Sequence, residues 1–262
     1  MKPVDFAYER PVALEDALTL LAQPGARVLA GGQSLGPMLN LRLAQPALLV
    51  DITAIDALQV AWRENGALIF GACVTHTEIE DGDLPDVTNG VMAAVARDIA
   101  YRAVRNRGTI GGSLAHADPA ADWLTCLSAL GADVIVAGVA GERRIPVASF
   151  VGGAFETTLQ PGEMLRAVSV PALSANAQWG FYKFCRKEGD FAEAIGAVLQ
   201  DCETDRTVLG ATNGAPLVVD GPYSDDAVRA AIDAQPDMEA YDRQVHFIAA
   251  KRAAMIAGVR AA

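Results

Sequence analysis

Two Gly-Gly pairs constrain this 262-residue chain more than any other feature. The first lies in Leu29-Ala30-Gly31-Gly32-Gln33-Ser34-Leu35 and the second in Thr109-Ile110-Gly111-Gly112-Ser113. Glycine tolerates positive φ and has no Cβ, so such turns can direct peptide N–H groups at an anion. At the first loop, the positive end of the next helical turn and the Gln33 and Ser34 side chains would add to this attraction. Together the two loops could hold the diphosphate of one dinucleotide.

Taken singly, a Gly-Gly pair after a strand is typical of an ordinary tight turn. Neither pair has the G-x-G-x-x-G spacing, so a Rossmann fold is not indicated. The two loops therefore indicate dinucleotide binding only in combination with the residues around them.

Composition narrows the class of protein further. A hydrophobic fraction of 52% allows a sizeable core. A net charge of −11 repels nucleic acid and anionic membranes, although the same balance also serves ordinary solubility. No apolar run has the length of a signal peptide or a membrane span, so we expect a cytoplasmic protein. Four cysteines without C-x-x-C spacing predict no disulfide framework and no zinc or iron–sulfur site, and we expect them to be buried.

Helical and strand patterns alternate along the chain and predict an α+β fold, with a third lobe that begins between Pro171 and Asn176. Thr75 and Glu78 have the spacing of a capping box, and Asp118-Pro119 is typical of the start of a helix. The predicted helices are 14–21, 35–43, one that starts at the Thr75 capping box, 90–102, 118–130, 225–234 and 239–259. The predicted strands are 27–30, 47–52, 66–72, 133–137, 165–170, 179–186, 196–199 and 207–211.

The second glycine loop is followed by Ala117-Asp118-Pro119-Ala120-Ala121-Asp122. This combination resembles the FAD-binding subunit of the molybdenum hydroxylases, the group of the carbon monoxide dehydrogenase medium chain and the xanthine dehydrogenase FAD domain. The first loop, the opening Phe6-Ala7-Tyr8-Glu9-Arg10-Pro11 and the stretch 181–192 are also similar to that family. The resemblance covers essentially the whole chain. It implies a two-lobed FAD-binding domain of the PCMH type, with lobes 1–55 and 56–174, followed by a smaller α+β lobe, 175–262.

The resemblance also implies a set of residues around a non-covalently bound FAD. The diphosphate and ribityl portion would lie against both loops: Leu29, Ala30, Gly31, Gly32, Gln33, Ser34, Leu35, Thr109, Gly111, Gly112 and Ser113. Asp122 would accept a hydrogen bond from a ribose or ribityl hydroxyl. The remaining contacts would be Ile99 and Ala100 at the isoalloxazine ring, His116 as a donor, Leu165 packed on the cofactor, and Lys183 near the flavin. Ser113 departs from the asparagine found in many members, which shortens the reach of this donor.

Each of these residues also has an ordinary structural explanation. Asp122 could be a solvent-facing helix carboxylate and Lys183 a surface lysine. Leu165 could be a core leucine, Ile99 and Ala100 could simply pack within a helix, and His116 could be a residue of a helix start.

By resemblance, the chain would be the electron-transfer subunit of a larger oxidoreductase. It would accept electrons from a [2Fe–2S] small subunit, while a large molybdopterin-binding subunit oxidises the substrate, and the complex would be a dimer of heterotrimers. The residues themselves suggest no nucleophile, acid–base pair or metal site, so no catalytic residue is predicted and the flavin would be the reactive group. Two alternatives are a freestanding FAD-dependent oxidoreductase of the vanillyl-alcohol oxidase-like fold group and a scaffold that has lost its flavin. The substrate and the final electron acceptor stay open.

Overall fold

The first part of the chain forms a parallel three-stranded sheet with strand order β1-β3-β2. We analysed a computed structural model, which describes residues 2–202 and 204–259. Helix α1 matches its prediction because its apolar positions bury Ala17, Leu18 and Leu21 against this sheet region. The elements of this part are β1 (Ala7–Glu9), α1 (Leu14–Leu21), β2 (Ala26–Leu29), α2 (Leu35–Asn40) and β3 (Leu48–Asp51).

The middle part is built around an antiparallel five-stranded sheet, and helices pack on it to form the largest core cluster. Its elements before the second glycine loop are β4 (Ala61–Glu64), β5 (Ala67–Gly71), α3 (His76–Asp81), α4 (Val91–Arg97) and α5 (Arg102–Arg105). The loop enters α6 (Ile110–His116), followed by α7 (Asp122–Ala129), β6 (Asp133–Gly138), β7 (Gly141–Pro146), α8 (Val147–Phe150), β8 (Val151–Gly153), β9 (Glu156–Thr157) and β10 (Met164–Pro171). The strand order is β4-β5-β10-β6-β7.

The last part is a four-stranded antiparallel meander that packs between helices. Its elements are β11 (Gln178–Phe184), β12 (Ala194–Gln200), β13 (Asp205–Gly210), β14 (Leu217–Asp220), α9 (Asp225–Asp233) and α10 (Ala240–Ala257). Helix α10 covers one face through small residues such as Ala250 and Ala253. The other face meets α7, where Ala129 packs on Ala197 and Val208. Helix α7 is therefore shared by the middle and last parts of the chain.

Three predicted helices were wrong in their bounds. The predicted helix 35–43 ends at Asn40, because the chain leaves the right-handed helical conformation and Arg42 has φ 60°. The predicted helix 90–102 ends at Arg97 and a separate helix begins at Arg102, because Ala100 adopts a left-handed conformation with φ 44°. No glycine or proline marks this break in the sequence. The predicted helix from Asp118 begins only at Asp122, since the Asp118 carboxylate accepts from Ala120 N at 3.0 Å and forms its own turn.

Two exposed strands were missed from the sequence, and two of the four cysteines are less buried than expected. Strands β1 and β7 were not predicted, because β1 is exposed throughout and β7 nearly so, which leaves no apolar alternation. Only Cys73 and Cys126 are buried as expected; Cys185 is half-buried and Cys202 is exposed. The capping box of Thr75 and Glu78 is confirmed in both of its hydrogen bonds. Among the residues that the structure describes, no helix is long and apolar enough to cross a membrane.

The contact between α10 and the meander predicts that Gly180 cannot carry a side chain. A Cβ there would lie 1.9 Å from the Ala253 carbonyl oxygen, whereas a Cβ at Gly214 would meet nothing closer than 3.7 Å. Gly180→Ala should therefore lower the free energy of unfolding by roughly 1–3 kcal/mol through overpacking. Gly214→Ala is the control and should unfold like the wild type in urea. Equal stability of the two variants would contradict this packing.

Candidate functional site

A cavity of about 550 Å³ opens between the two glycine loops and is lined from all three parts of the chain. Apart from Leu29, every residue predicted for cofactor binding lines it: Ala30, Gly31, Gly32, Gln33, Ser34, Leu35, Ile99, Ala100, Thr109, Gly111, Gly112, Ser113, His116, Asp122, Leu165 and Lys183. Leu29 instead ends β2, where its side chain packs near Leu39 and Leu49. The fold thus brings distant segments to a single site.

The first loop presents free peptide N–H groups. Within the described residues, the five consecutive amides of 31–35 donate to no protein acceptor. Gly32 holds the turn with φ 71°, a conformation that side chains rarely adopt. Gly31 is required for a different reason, because a Cβ there would lie 1.9 Å from the Arg107 carbonyl oxygen. A run of unpartnered amides at a cavity wall is suited to an anionic group such as a diphosphate.

The second loop uses its amides within the protein. Gly111 N donates to Ala72 O at 3.1 Å, and Gly112 N donates to Thr109 Oγ1 at 3.1 Å. A Cβ on Gly111 would lie 2.7 Å from the Ala72 Cα. The expectation that both glycine pairs offer free amides was therefore wrong for this loop. Gly111 allows the loop to pack closely on Ala72, the residue after β5, and a bulky residue at Gly111 would disturb folding itself.

A buried ion pair crosses the cavity wall. Asp122 is 6% exposed, and Lys183 Nζ donates to its Oδ2 at 3.0 Å and to the Asp98 carbonyl oxygen at 3.2 Å. Burial raises the pKa of Asp122 to about 6, although the Lys183 ammonium acts in the opposite direction. The explanations of a solvent-facing carboxylate and a surface lysine are both excluded, since the side chain of Lys183 is only 9% exposed.

The second carboxylate oxygen of Asp122 has no partner. Its Oδ1 is buried and makes no hydrogen bond to the described residues, yet Asp122 lines the cavity. A buried polar atom without a partner costs free energy, so a ligand hydroxyl that donates to it would be stabilising. The free amides at one wall and this orphaned acceptor at another fit a ligand that carries both an anionic group and hydroxyls.

The remaining predicted residues have mixed surroundings. Leu165 is 4% exposed and belongs to the main core while also lining the cavity, so both of its explanations apply. His116 is half-buried beside Phe155, with ring centroids 5.2 Å apart, and burial lowers its pKa. Ile99 and Ala100 lie in the break after α4 rather than within a helix, so simple helix packing does not explain them.

His76 lines the cavity and was not predicted from the sequence, where it follows the capping residue Thr75 and resembles an ordinary helix start. Its Nδ1 accepts from Trp123 Nε1 at 3.0 Å, which places the ring proton on Nε2. Burial lowers the pKa of His76 to about 4, and the Arg105 charge adds to this. A Cβ on Gly108 would lie 2.9 Å from its ring, so His76 supports the segment that leads into the second loop.

This neutral histidine predicts a pH-dependent stability. Because the pKa of His76 is about 4 when folded and near 6.5 when unfolded, its stabilisation is full above pH 6.5 and is lost as pH falls toward 4. In His76→Asn, the amide oxygen can still accept from Trp123 but does not titrate. The difference in unfolding free energy between wild type and variant should shrink by about 2 kcal/mol from pH 7.5 to pH 5. The opposite trend of Asp122 is common to both proteins and cancels. A constant difference in urea unfolding would show that His76 is not neutral in the fold.

Comparison with known proteins supports a flavin as the occupant of the cavity. The family model described as FAD binding domain in molybdopterin dehydrogenase matches residues 4–173. The beta subunit of caffeine dehydrogenase from Pseudomonas sp. (strain CBB1) is 37% identical over 211 residues, which is 79% of this chain and 71% of that protein. The carbon monoxide dehydrogenase medium chain of Hydrogenophaga pseudoflava is 34% identical over 250 residues, covering 89% of this chain and 87% of that one.

Two solved structures have the same fold as this chain over almost all of its length. Carbon monoxide dehydrogenase from Hydrogenophaga pseudoflava, in a form that lacks the Mo-pyranopterin moiety, superposes with a TM-score of 0.89 at 32% identity and covers 100% of both chains. Quinoline 2-oxidoreductase from Pseudomonas putida 86 gives a TM-score of 0.83 at 31% identity, covering 99% of this chain and 96% of that one. These matches confirm the predicted α+β fold. The chain belongs to the family of FAD-binding domains of molybdopterin dehydrogenases.

Proposed function

We propose that this chain is the FAD-carrying electron-transfer subunit of a molybdenum-containing hydroxylase, taking electrons from a [2Fe–2S] subunit and passing them to an external acceptor. The observation that carries this proposal is the cavity with free amides at residues 31–35 and the unpartnered Asp122 Oδ1, in a chain of this family. Bound FAD supplies the redox centre, while the protein supplies position and electrostatics.

The residues divide into three roles toward the cofactor. The amides from Gly31 to Leu35 would hold the diphosphate, with Ala30, Gln33 and Ser34 beside it. Asp122 Oδ1 would accept a ribityl or ribose hydroxyl, and Lys183 would keep that carboxylate charged and fixed through its 3.0 Å contact. The other predicted residues would form the walls: Ile99, Ala100 and Leu165 at the flavin ring, and Thr109, Gly111, Gly112, Ser113 and His116 along the second loop.

The names of the similar proteins indicate which partner subunits this chain would have. The matched proteins are named as a beta subunit and a medium chain, which favours a subunit over the freestanding oxidoreductase. We propose an iron–sulfur small subunit and a molybdopterin-binding large subunit as partners, assembled as a dimer of heterotrimers in the cytoplasm. We also keep the division into lobes 1–55, 56–174 and 175–262 as part of this proposal, since each sheet takes its strands from one of these segments.

Purification from the native host tests the subunit role. The tagged chain should carry one FAD and should be accompanied by an iron–sulfur protein and a molybdopterin protein, identified by absorption spectroscopy and mass spectrometry. The isolated flavin-loaded chain should not turn over an organic substrate by itself. Turnover by the chain alone would favour the freestanding enzyme, and a colourless protein would favour the scaffold.

A matched pair of glycine substitutions tests the role of the first loop. In Gly32→Val, a β-branched residue would have to adopt φ 71°, so the loop should leave the conformation that keeps its amides free at the cavity wall. Loss of one hydrogen bond to a charged group is worth about 1.5–3 kcal/mol, which corresponds to roughly tenfold to hundredfold weaker FAD binding. Gly36→Ala is the control, because a Cβ at Gly36 meets open space. Wild-type flavin affinity in folded Gly32→Val would contradict the assignment.

A further inference from the structure

The turn between α4 and α5 is held by a side chain that does not itself line the cavity. Arg105 Nη1 donates to the Ile99 carbonyl oxygen at 3.0 Å and to the Ala100 carbonyl oxygen at 3.1 Å. In a trans peptide the C=O and N–H groups point in opposite directions. The N–H groups of Ala100 and Tyr101 therefore point away from Arg105.

Arg105 is itself fixed by a bidentate ion pair. Its Nε lies 2.7 Å from Glu80 Oε2 and its Nη2 lies 3.0 Å from Oε1. The two side chains are only 10% and 11% exposed, so water weakens this pair little. The Arg105 hydrogen bonds lower the pKa of Glu80, which keeps this carboxylate charged. One side of the guanidinium is thus held by Glu80, and the other side donates to the Ile99 and Ala100 carbonyl oxygens of the turn.

The turn requires these two hydrogen bonds because its central residue, Ala100, is not a glycine. Ala100 has φ 44°, a left-handed conformation that costs a residue with a Cβ roughly 1–2 kcal/mol. Two charge-assisted hydrogen bonds from Arg105 to the flanking carbonyls offset that cost. Without them, the peptide groups would be free to rotate toward a less strained conformation.

The two N–H groups that point away from Arg105, those of Ala100 and Tyr101, have no acceptor among the described residues. Among the described residues, neither Ala100 N nor Tyr101 N makes a hydrogen bond, while Ile99 and Ala100 line the cavity. The turn lies beside the Asp122–Lys183 pair, because Lys183 Nζ also donates to the Asp98 carbonyl oxygen. If Asp122 accepts a ribityl hydroxyl, the next group of FAD on the side away from the diphosphate is the flavin ring.

We propose that Arg105 is a positioning residue that aims the Ala100 and Tyr101 N–H groups at the electron-rich carbonyl and ring-nitrogen edge of the bound flavin. The inference rests on the proposed function. This edge gains negative charge on reduction, so preorganised donors stabilise reduced flavin more than oxidised flavin. Arg105 thereby raises the reduction potential of the flavin without touching it.

The main test compares two arginines that share the Glu80 carboxylate. Arg105→Met removes the grip on the turn, whereas Arg102→Met removes the other cation 3.0 Å from Glu80 and leaves both carbonyls held. The readout is the midpoint potential of the flavin in the purified complex, measured by spectroelectrochemistry. In Arg105→Met the preference for reduced over oxidised FAD should fall about tenfold, which is about 30 mV for a two-electron couple. Arg102→Met should keep the wild-type potential. A flavin-loaded Arg105→Met with that same potential would overturn the proposal.

Two further measurements keep the proposal testable if Arg105→Met fails to fold or loses its flavin. Arg105→Lys keeps the charge beside Glu80. Its compact ammonium lacks the planar fork with which Arg105 reaches Glu80 on one side and both carbonyls on the other, so the potential of this variant should also fall. An unchanged potential in this variant would overturn the proposal. In the wild-type chain, amide hydrogen exchange of the segment 98–104 should slow when FAD is added to the flavin-free protein. Unchanged exchange in a chain that does bind FAD would refute the inference alone, whereas no FAD binding at all would refute the proposed function.

Discussion

The site depends on the close approach of the two glycine loops. Gly31 lies so near the Arg107 carbonyl that a Cβ would be 1.9 Å from its oxygen, and a Cβ on Gly108 would be 2.9 Å from the His76 ring. Gly111 in turn packs on Ala72. These contacts connect the first loop through the second to the core around Trp123, because Trp123 donates to His76. The amides of the first loop are therefore presented by a rigid support rather than by a flexible turn.

Local groups decide what an acidic protein can bind. The net charge of −11 opposes extended anionic partners, but the five free amides of residues 31–35 would act on a ligand at hydrogen-bond distance, where peptide dipoles outweigh distant charges. Asp122 is a negative group in the same cavity, and the ammonium of Lys183 lies against it. The cavity thus combines donors for an anion with one acceptor for hydroxyl groups.

Local patterns were predictable from the sequence, whereas long-range contacts were not. Helix α1 and the capping box at Thr75 depend on neighbours in the chain, and both matched their predictions. The break at Ala100 depends on Arg105, and the pairing of Asp122 with Lys183 joins residues 61 positions apart. The different use of amides in the two loops depends on the Ala72 carbonyl oxygen, just after β5, which lies close enough to accept from Gly111 N. Each of these required the folded arrangement, and His76 was missed for the same reason.

If the first loop binds the diphosphate of FAD and Asp122 accepts a ribityl hydroxyl, riboflavin can make only the second of these contacts. The most direct test is the ratio of dissociation constants of the flavin-free full chain for riboflavin and for FAD, measured by quenching of flavin fluorescence. Since hydrogen bonds to a charged group contribute about 1.5–3 kcal/mol each, two or more of them predict that FAD binds at least about a hundredfold more tightly. Equal affinity for riboflavin and FAD would show that the loop does not recognise the diphosphate.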